Sequence, residues 1–206
     1  TDSHRLSSSS LEIDKNIIFE PIILPKKTIL QLISLLEQAS SNIKVSNNKS
    51  KVKFVVDSGI LISKVIDGRF PDYSKVIPKD NNKILQINLN EFKNSIERVT
   101  SVSLDRKEGL KMTIGKDSLK LSVNSPNSGE GVENFKANFN SEDMNISFNS
   151  RYLIDIASQI EHETIVVNLK EAGSPVLIKD LSDKLSFHVV MPMKIWSILF
   201  KGDFRL

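Results

Sequence analysis

Between positions 25 and 38 apolar side chains recur as Ile29, Leu32, Ile33 and Leu36, a spacing of three and four that draws one stripe down an amphipathic helix. Pro25 stands where a first-turn proline is tolerated. Three short stretches rich in Val and Ile follow, at 42–46, 51–56 and 60–66, separated by Ser, Asn, Asp and Gly, and they read as strands joined by turns. Periodicity then stops. Asp67-Gly68-Arg69-Phe70-Pro71-Asp72-Tyr73 and Pro78-Lys79-Asp80-Asn81-Asn82 are turn-forming runs, so a domain boundary falls between them.

A second helix is expected over 91–101, with Leu89, Phe92, Ile96 and Val99 on one face, and strands near 110–114, 119–123 and 134–138. A third helix begins after Asn149, a good N-cap, and turns Leu153, Ile154, Ala157 and Ile160 inward. Strands at 164–169, 176–178 and 186–191 complete the pattern. Residues 26–38 and 150–161 correspond, each helix preceding three strands, so the block recurs after about 124 residues. A period that long indicates duplicated domains rather than a solenoid of short units. The fold class is therefore α+β, in repeated domains of antiparallel sheet covered on one face by helices. The expected divisions are 1–78, 79–195 and a tail at 196–206.

Composition narrows the function. In 206 residues, 39% hydrophobic and 26% charged, there is enough apolar material for a globular core. No apolar run approaches the roughly 18 residues that cross a bilayer. The absence of cysteine removes disulfides, thiolate metal sites and cysteine nucleophiles and fits a reducing cytoplasm. The net charge of +3 is too mild to carry a nucleic-acid argument alone, so the placement of the charges must.

Catalytic chemistry finds little support. His4, His162 and His188 lie far apart, without metal-ligand or triad spacing. No G-x-G-x-x-G or Walker stretch occurs, and Gly129-Glu130-Gly131 reads as a polar turn. No enzyme activity, metal or cofactor is expected.

Four stretches, in this order and spacing, carry a resemblance: Thr1-Asp2-Ser3-His4-Arg5-Leu6, Leu24-Pro25-Lys26-Lys27-Thr28, Asp67-Gly68-Arg69-Phe70-Pro71-Asp72-Tyr73 and Val189-Val190-Met191-Pro192-Met193. Together they resemble the bacterial DNA polymerase III beta subunit family, the beta sliding clamps, over 1–195, without that family's first domain and the opening of its second. The resemblance implies the DNA clamp fold, with helices on the inner face of a ring closed by head-to-tail homodimers around duplex DNA. It implies a non-catalytic cytoplasmic role in keeping a replicative polymerase on its template.

The resemblance also assigns residues. Lys26, Lys27, Lys93, Arg98 and Arg151 become DNA-facing, suited to exchanging phosphates without reading bases; by pattern alone they are solvated helix faces. Ser101 and Val102 fall at a dimer interface. A pocket for short Leu/Phe motifs of polymerases, clamp-loader subunits and repair proteins is implied at Thr1, Ser3, His4, Arg5, Leu6, Pro71, Lys75, Val76, Pro175, Val189, Met191, Pro192, Met193 and Lys194. Met191 and Met193 would give it a compliant floor, although a strand end explains them equally well.

Three departures stand out. Ser3 replaces the family's usual Gly and is strained if that position needs a positive φ. Lys194 replaces a common Arg, exchanging a planar fork for a point charge. Residues 196–206 run past the usual family end, as a chance extension or as a segment docking on the pocket itself. The chain opens without Met, so material upstream is expected, and a second reading follows: a truncated or split-gene product that binds clamp partners but closes no ring.

Overall fold

The computed structural model describes residues 1–12, 19–48, 50–57, 59–103, 109–125 and 128–193. In chain order these form β1 (Arg5–Ser8), α1 (Lys26–Leu36), β2 (Lys44–Asn47), β3 (Lys51–Val56), β4 (Gly59–Lys64), a 3-10 turn at Tyr73–Lys75 and β5 (Lys83–Asn88). Then come α2 (Leu89–Thr100), β6 (Gly109–Ile114), β7 (Ser118–Ser125), β8 (Gly129–Lys136), β9 (Asn138–Phe139) and β10 (Met144–Asn149). The last are α3 (Ser150–Ala157), β11 (Thr164–Leu169), β12 (Val176–Asp180) and β13 (Phe187–Val190). Contacts divide the chain into two units, Thr1–Glu12 with Tyr73–Leu206, and Ile13–Asp72. The sequence-based boundary at 78 thus falls a few residues late. Residues Arg5–Ser8 join the larger unit because they hydrogen-bond to β13.

The larger unit is built twice over. A strand, a helix and three strands run β5-α2-β6-β7-β8, and the same order recurs as β10-α3-β11-β12-β13. The two halves exchange their leading strands: β5 pairs antiparallel with β11, and β10 pairs with β6. A six-stranded sheet, β1-β13-β12-β11-β5-β9, and a four-stranded sheet, β10-β6-β7-β8, result. Asn88 and Asn149, the residues before the two helices, play equivalent parts. Asn88 accepts from the Glu91 N–H at 3.0 Å and Asn149 from the Arg151 N–H at 3.0 Å, each satisfying an orphan donor at a helix start. A half is about 61 residues, half the period seen in the sequence.

Inward residues of both helices meet the sheets in one core. Phe92, Ile96 and Val99 of α2 and Leu153, Ile156 and Ala157 of α3 are buried with Leu85, Ile87, Leu110, Leu121 and Ile165. Each such side chain contributes about 1.5–3 kcal/mol by leaving water. α2 starts two residues earlier than the periodicity indicated because Asn88, not a later residue, caps it. Gly129-Glu130-Gly131 is not a turn: it opens β8, which pairs with β7 along its whole length. Gly131 is required there, since a Cβ would lie 2.5 Å from the Val99 carbonyl oxygen.

In the smaller unit, α1 packs on the antiparallel sheet β2-β3-β4. Val52, Phe54 and Val56 are its buried strand residues, and Thr28 is its buried helix residue, hydrogen-bonded through Oγ1 to Ser63 Oγ at 2.7 Å. The expected inward stripe is not inward: Ile29, Ile33 and Leu36 are exposed, because no further element covers that face among the described residues.

Candidate partner-docking site

The first and last strands meet where β1 pairs with β13, in the register Arg5 to Val190, Leu6 to Val189, Ser7 to His188 and Ser8 to Phe187. One more bond extends the ladder, from the Met191 N–H to the His4 carbonyl at 2.8 Å. Because successive side chains on a strand face opposite sides, this register sorts the site into two faces. Leu6, Val189 and Leu177 form a buried apolar cluster on one, with Phe187 against it.

Arg5 belongs to the other face. Its guanidinium donates through Nη1 to Asp155 Oδ2 at 2.6 Å and through Nε to Asp2 Oδ2 at 3.0 Å, and it stacks 4.3 Å above the centre of the Tyr152 ring. Asp155 and Tyr152 lie on α3, so the arginine ties the first strand to a helix. Burial works against the Arg5 charge, but Asp155 and then Asp2 overcome it and raise its pKa. Burial likewise pushes the Asp2 carboxyl up, while the His4 N–H, the Arg5 side chain and the Arg5 N–H bring it below 3.8.

The residues before β1 form a closed turn. Asp2 Oδ1 accepts from the backbone N–H groups of His4 at 3.2 Å and Arg5 at 3.1 Å, and Thr1 Oγ1 donates to the Arg5 carbonyl at 2.7 Å. Ser3, between them, has φ 73°, the left-handed region that the glycine argument anticipated.

Beyond β13, Met191 and Met193 are exposed, with Pro192 half-buried between them. The Met193 N–H donates to the Ser147 carbonyl at 2.7 Å and fixes the segment's exit. His4, Arg5 and Leu6 are thus set beside Met191, Val190 and Val189 in turn, and Thr1 is tied to them through the Arg5 carbonyl. The Pro175 carbonyl accepts from Asn81 at 2.9 Å, ahead of β12. Lys75 ends the 3-10 turn, and Val76 follows it, exposed, with its N–H donated to the Tyr73 carbonyl at 3.0 Å. Pro71 is exposed and belongs to the smaller unit. Lys194 and the tail at 196–206 lie outside the described residues.

Sequence reasoning missed Asp2, Tyr152 and Asp155. A Tyr and an Asp one turn apart among the apolar residues Leu153, Ile154, Ile156 and Ala157 of α3 were the available signal.

The cationic candidates occupy the helices. Lys26 and Lys27 are exposed at the start of α1, and Arg151 is exposed in the first turn of α3. Lys93 is half-buried on α2. Arg98 is different: its Nε and Nη2 reach both Glu133 oxygens, at 2.8 and 3.1 Å, and Nη2 also donates to Ser95 Oγ. Glu133 holds that charge and is itself held below 4.5 by it. Ser101 is exposed just past α2, with its hydroxyl donated to the Arg98 carbonyl, and Val102 is half-buried beside it. Among the described residues no group of three or more His, Cys, Asp or Glu could hold a metal, and no helix is long and apolar enough to cross a membrane.

Doubled strand-helix-strand halves with antiparallel sheet on one side and helices on the other define a DNA clamp fold. Residues 74–194 match the C-terminal domain of the DNA polymerase III beta subunit, and residues 1–72 match its central domain. The chain therefore belongs to the DNA polymerase III beta subunit family. It is 33% identical over 196 residues to the beta sliding clamp of Caulobacter vibrioides. It superposes with a TM-score of 0.90, at 36% identity, on a sliding clamp from Bartonella birtlesii bound to griselimycin. The corresponding Pseudomonas aeruginosa clamp, also bound to griselimycin, gives 0.88 at 27%. In each case 95% of this chain is covered and 53% of the relative; the chain spans about half the length of its relatives.

Proposed function

We propose that this chain supplies the partner-docking part of a DNA sliding clamp, a non-catalytic processivity factor in DNA replication. Short peptides with Leu and Phe anchors, carried by polymerases, clamp-loader subunits and repair proteins, dock at the surface where β1 meets β13. The observation that carries this reading is the Met191 to His4 hydrogen bond at 2.8 Å, which sets exposed methionines beside the Thr1 to Leu6 turn. Methionine adapts to varied apolar partners, and the Arg5, Asp2 and Asp155 network keeps the turn in shape before a partner arrives. Two relatives solved with griselimycin bound support ligand binding by clamps of this family.

DNA is held electrostatically by Lys26, Lys27, Lys93 and Arg151, without base contacts, in a head-to-tail ring of the whole family protein. A second reading is partner docking without ring closure. Titration of a fluorescent peptide bearing a Leu/Phe motif tests the docking reading. Saturable binding that Met191→Glu weakens about tenfold is expected, and an unaltered isotherm defeats it. Retention on nicked circular DNA separates the two readings: a protein that slides off linearised circles but stays on closed ones encircles DNA.

A further inference from the structure

The sheet β2-β3-β4 has two faces, and α1 packs on only one of them. Val52, Phe54 and Val56 are buried on the α1 side, and Ser63, opposite Val52, shares a hydrogen bond with Thr28 of that helix. The alternate positions therefore point away from α1. On that outer side the register sets Lys51 against Lys64, Lys53 against Ile62 and Val55 against Ile60, and β2 adds Lys44 opposite Val55. Ile60 and Ile62 are 61% and 60% exposed, more than any other large hydrophobic side chain in a described strand.

Two features of this face are unfavourable in the chain by itself. Lys51 and Lys64 are like charges directly opposite one another, which weakens a strand pair. No ion pair among the described residues engages either of them, or Lys44 or Lys53. Residues 38–66 carry five lysines and a single carboxylate, Asp57, which lies past the end of β3 and accepts from the Ser40 N–H at 3.0 Å. Beside these charges Ile60 and Ile62, with the half-buried Val55, form an apolar strip that faces water.

We propose that this outer face is a second docking surface, separate from β1 and β13, and that its occupant is an acidic amphipathic helix of a partner protein. The helix lays an apolar stripe over Val55, Ile60 and Ile62 and sets Asp or Glu side chains over the lysines. Charge complementarity selects an acidic partner, because a carboxylate between Lys51 and Lys64 replaces a like-charge contact with two attractive ones. The apolar strip selects polypeptide over other anions. Duplex DNA offers phosphates to the lysines and leaves both isoleucines uncovered. An anionic lipid surface takes up apolar side chains by insertion, and Lys53, about 5 Å across the strand pair from Ile62, holds a charge at the same depth.

The test titrates the whole chain with a helical peptide that carries a Leu stripe bordered by Glu, with its Glu-to-Gln counterpart, with a short DNA duplex and with phosphatidylglycerol vesicles. Saturable binding of the Glu peptide is expected, with amide resonances of residues 51–55 and 60–64 shifting and the Gln counterpart binding at least about tenfold more weakly. Ile60→Thr with Ile62→Thr should weaken the Glu peptide about tenfold, and Lys51→Gln with Lys64→Gln should weaken it several-fold and flatten its salt dependence. Threonine is β-branched like isoleucine and both sites are exposed, so the double variant keeps the circular dichroism of the parent and its response to the Leu/Phe peptide. Absence of Glu-peptide binding overturns the proposal, as does equal binding by the threonine variant or a shift pattern confined to β1 and β13. Binding of the duplex or the vesicles through Lys51 and Lys64, without binding of the Glu peptide, overturns it too, since nucleic acid or lipid would then be the occupant.

Discussion

Arg5 and Asp155 stand 150 residues apart in sequence and share a hydrogen bond of 2.6 Å. The pair joins β1 to α3, and Tyr152, one turn earlier on the same helix, receives the guanidinium on its face. A planar, delocalised cation satisfies a carboxylate and an aromatic ring together, which an ammonium does not.

Arg5→Lys therefore loses the stacking and the fork while retaining the charge. Both Arg5 and Asp155 are partly exposed, so the ion pair contributes little and the stacking about 0.5–1 kcal/mol. The expected result is a urea midpoint lowered by the equivalent of about 1 kcal/mol and a peptide Kd raised several-fold. Tyr152→Leu should reproduce most of the effect on the peptide and almost none in the Arg5→Lys background, because the two changes remove the same contact.

Ser3 at φ 73° holds a conformation in which an L side chain costs about 1 kcal/mol or more. Ser3→Gly relieves the strain, and the expected gain is about 1 kcal/mol in equilibrium unfolding. Gly131→Ala runs the other way. Its Cβ would meet the Val99 carbonyl carbon and oxygen at 3.1 and 2.5 Å, backbone atoms that do not yield as a side chain would. A loss of about 1–3 kcal/mol is expected.

Helices and most strands were legible in the sequence, since each is a local pattern. β5 and β10 were not, although they matter most to the topology. Met144-Asn145-Ile146-Ser147-Phe148-Asn149 alternates, but its polar residues match those of a loop, and Ile84, Leu85 and Ile87 sit against a run of turn formers. Both are strands because a partner half offers them an edge, and that edge is set by the whole fold. Of the docking residues named from the resemblance, Arg5, Leu6 and Val189 lie in the β1 and β13 pair, with His4 and Met191 bonded just beyond it, whereas Asp2, Tyr152 and Asp155 became visible only once Arg5 had a direction. The α1 stripe was read correctly as a pattern, and its cover is what the described residues lack.

Asp180 is buried, and its carboxylate accepts four hydrogen bonds: from the Glu161 and His162 N–H groups at 2.9 and 3.4 Å, and from the Ser182 N–H and hydroxyl at 2.7 and 2.6 Å. Burial opposes the charge, yet these donors hold its pKa at about 2 against an ordinary 3.8. A carboxyl whose folded pKa is depressed contributes stability that is complete above the unfolded value and is lost as pH falls from about 3.8 towards 2. Asp180→Asn should cost about 1–3 kcal/mol near neutrality and flatten the pH dependence of unfolding in that window.

His188 acts at higher pH. Burial lowers its pKa below 6.5, and the nearby Asp180 charge only partly opposes this, while Nδ1 shares a hydrogen bond of 2.8 Å with Ser7 Oγ across the β1 and β13 pair. Here the unfolded chain binds the proton more readily, so stability falls as pH drops through 6.5 towards the folded value. Urea midpoints at pH 8 and pH 5.5 are expected to differ in that direction, and His188→Gln should shrink the difference.

Charge on the helix face gives the last prediction. Arg98 is held by both oxygens of Glu133, whereas Lys26, Lys27 and Arg151 are exposed on α1 and α3. If phosphate neutralisation by these cations drives DNA association, each one removed lowers the slope of log K against log salt by about 0.9. Lys26→Ala with Lys27→Ala should therefore flatten that slope by somewhat under 2 and weaken binding similarly on unrelated sequences. Glu133→Gln is the informative opposite. It frees the Arg98 guanidinium without adding a cation, and it should steepen the slope by up to about 1. Nitrocellulose or anisotropy titrations from 50 to 200 mM salt on two duplexes of different sequence measure all of these. A Glu133→Gln slope equal to that of the parent would place Arg98 away from the DNA, in a purely structural pair with β8.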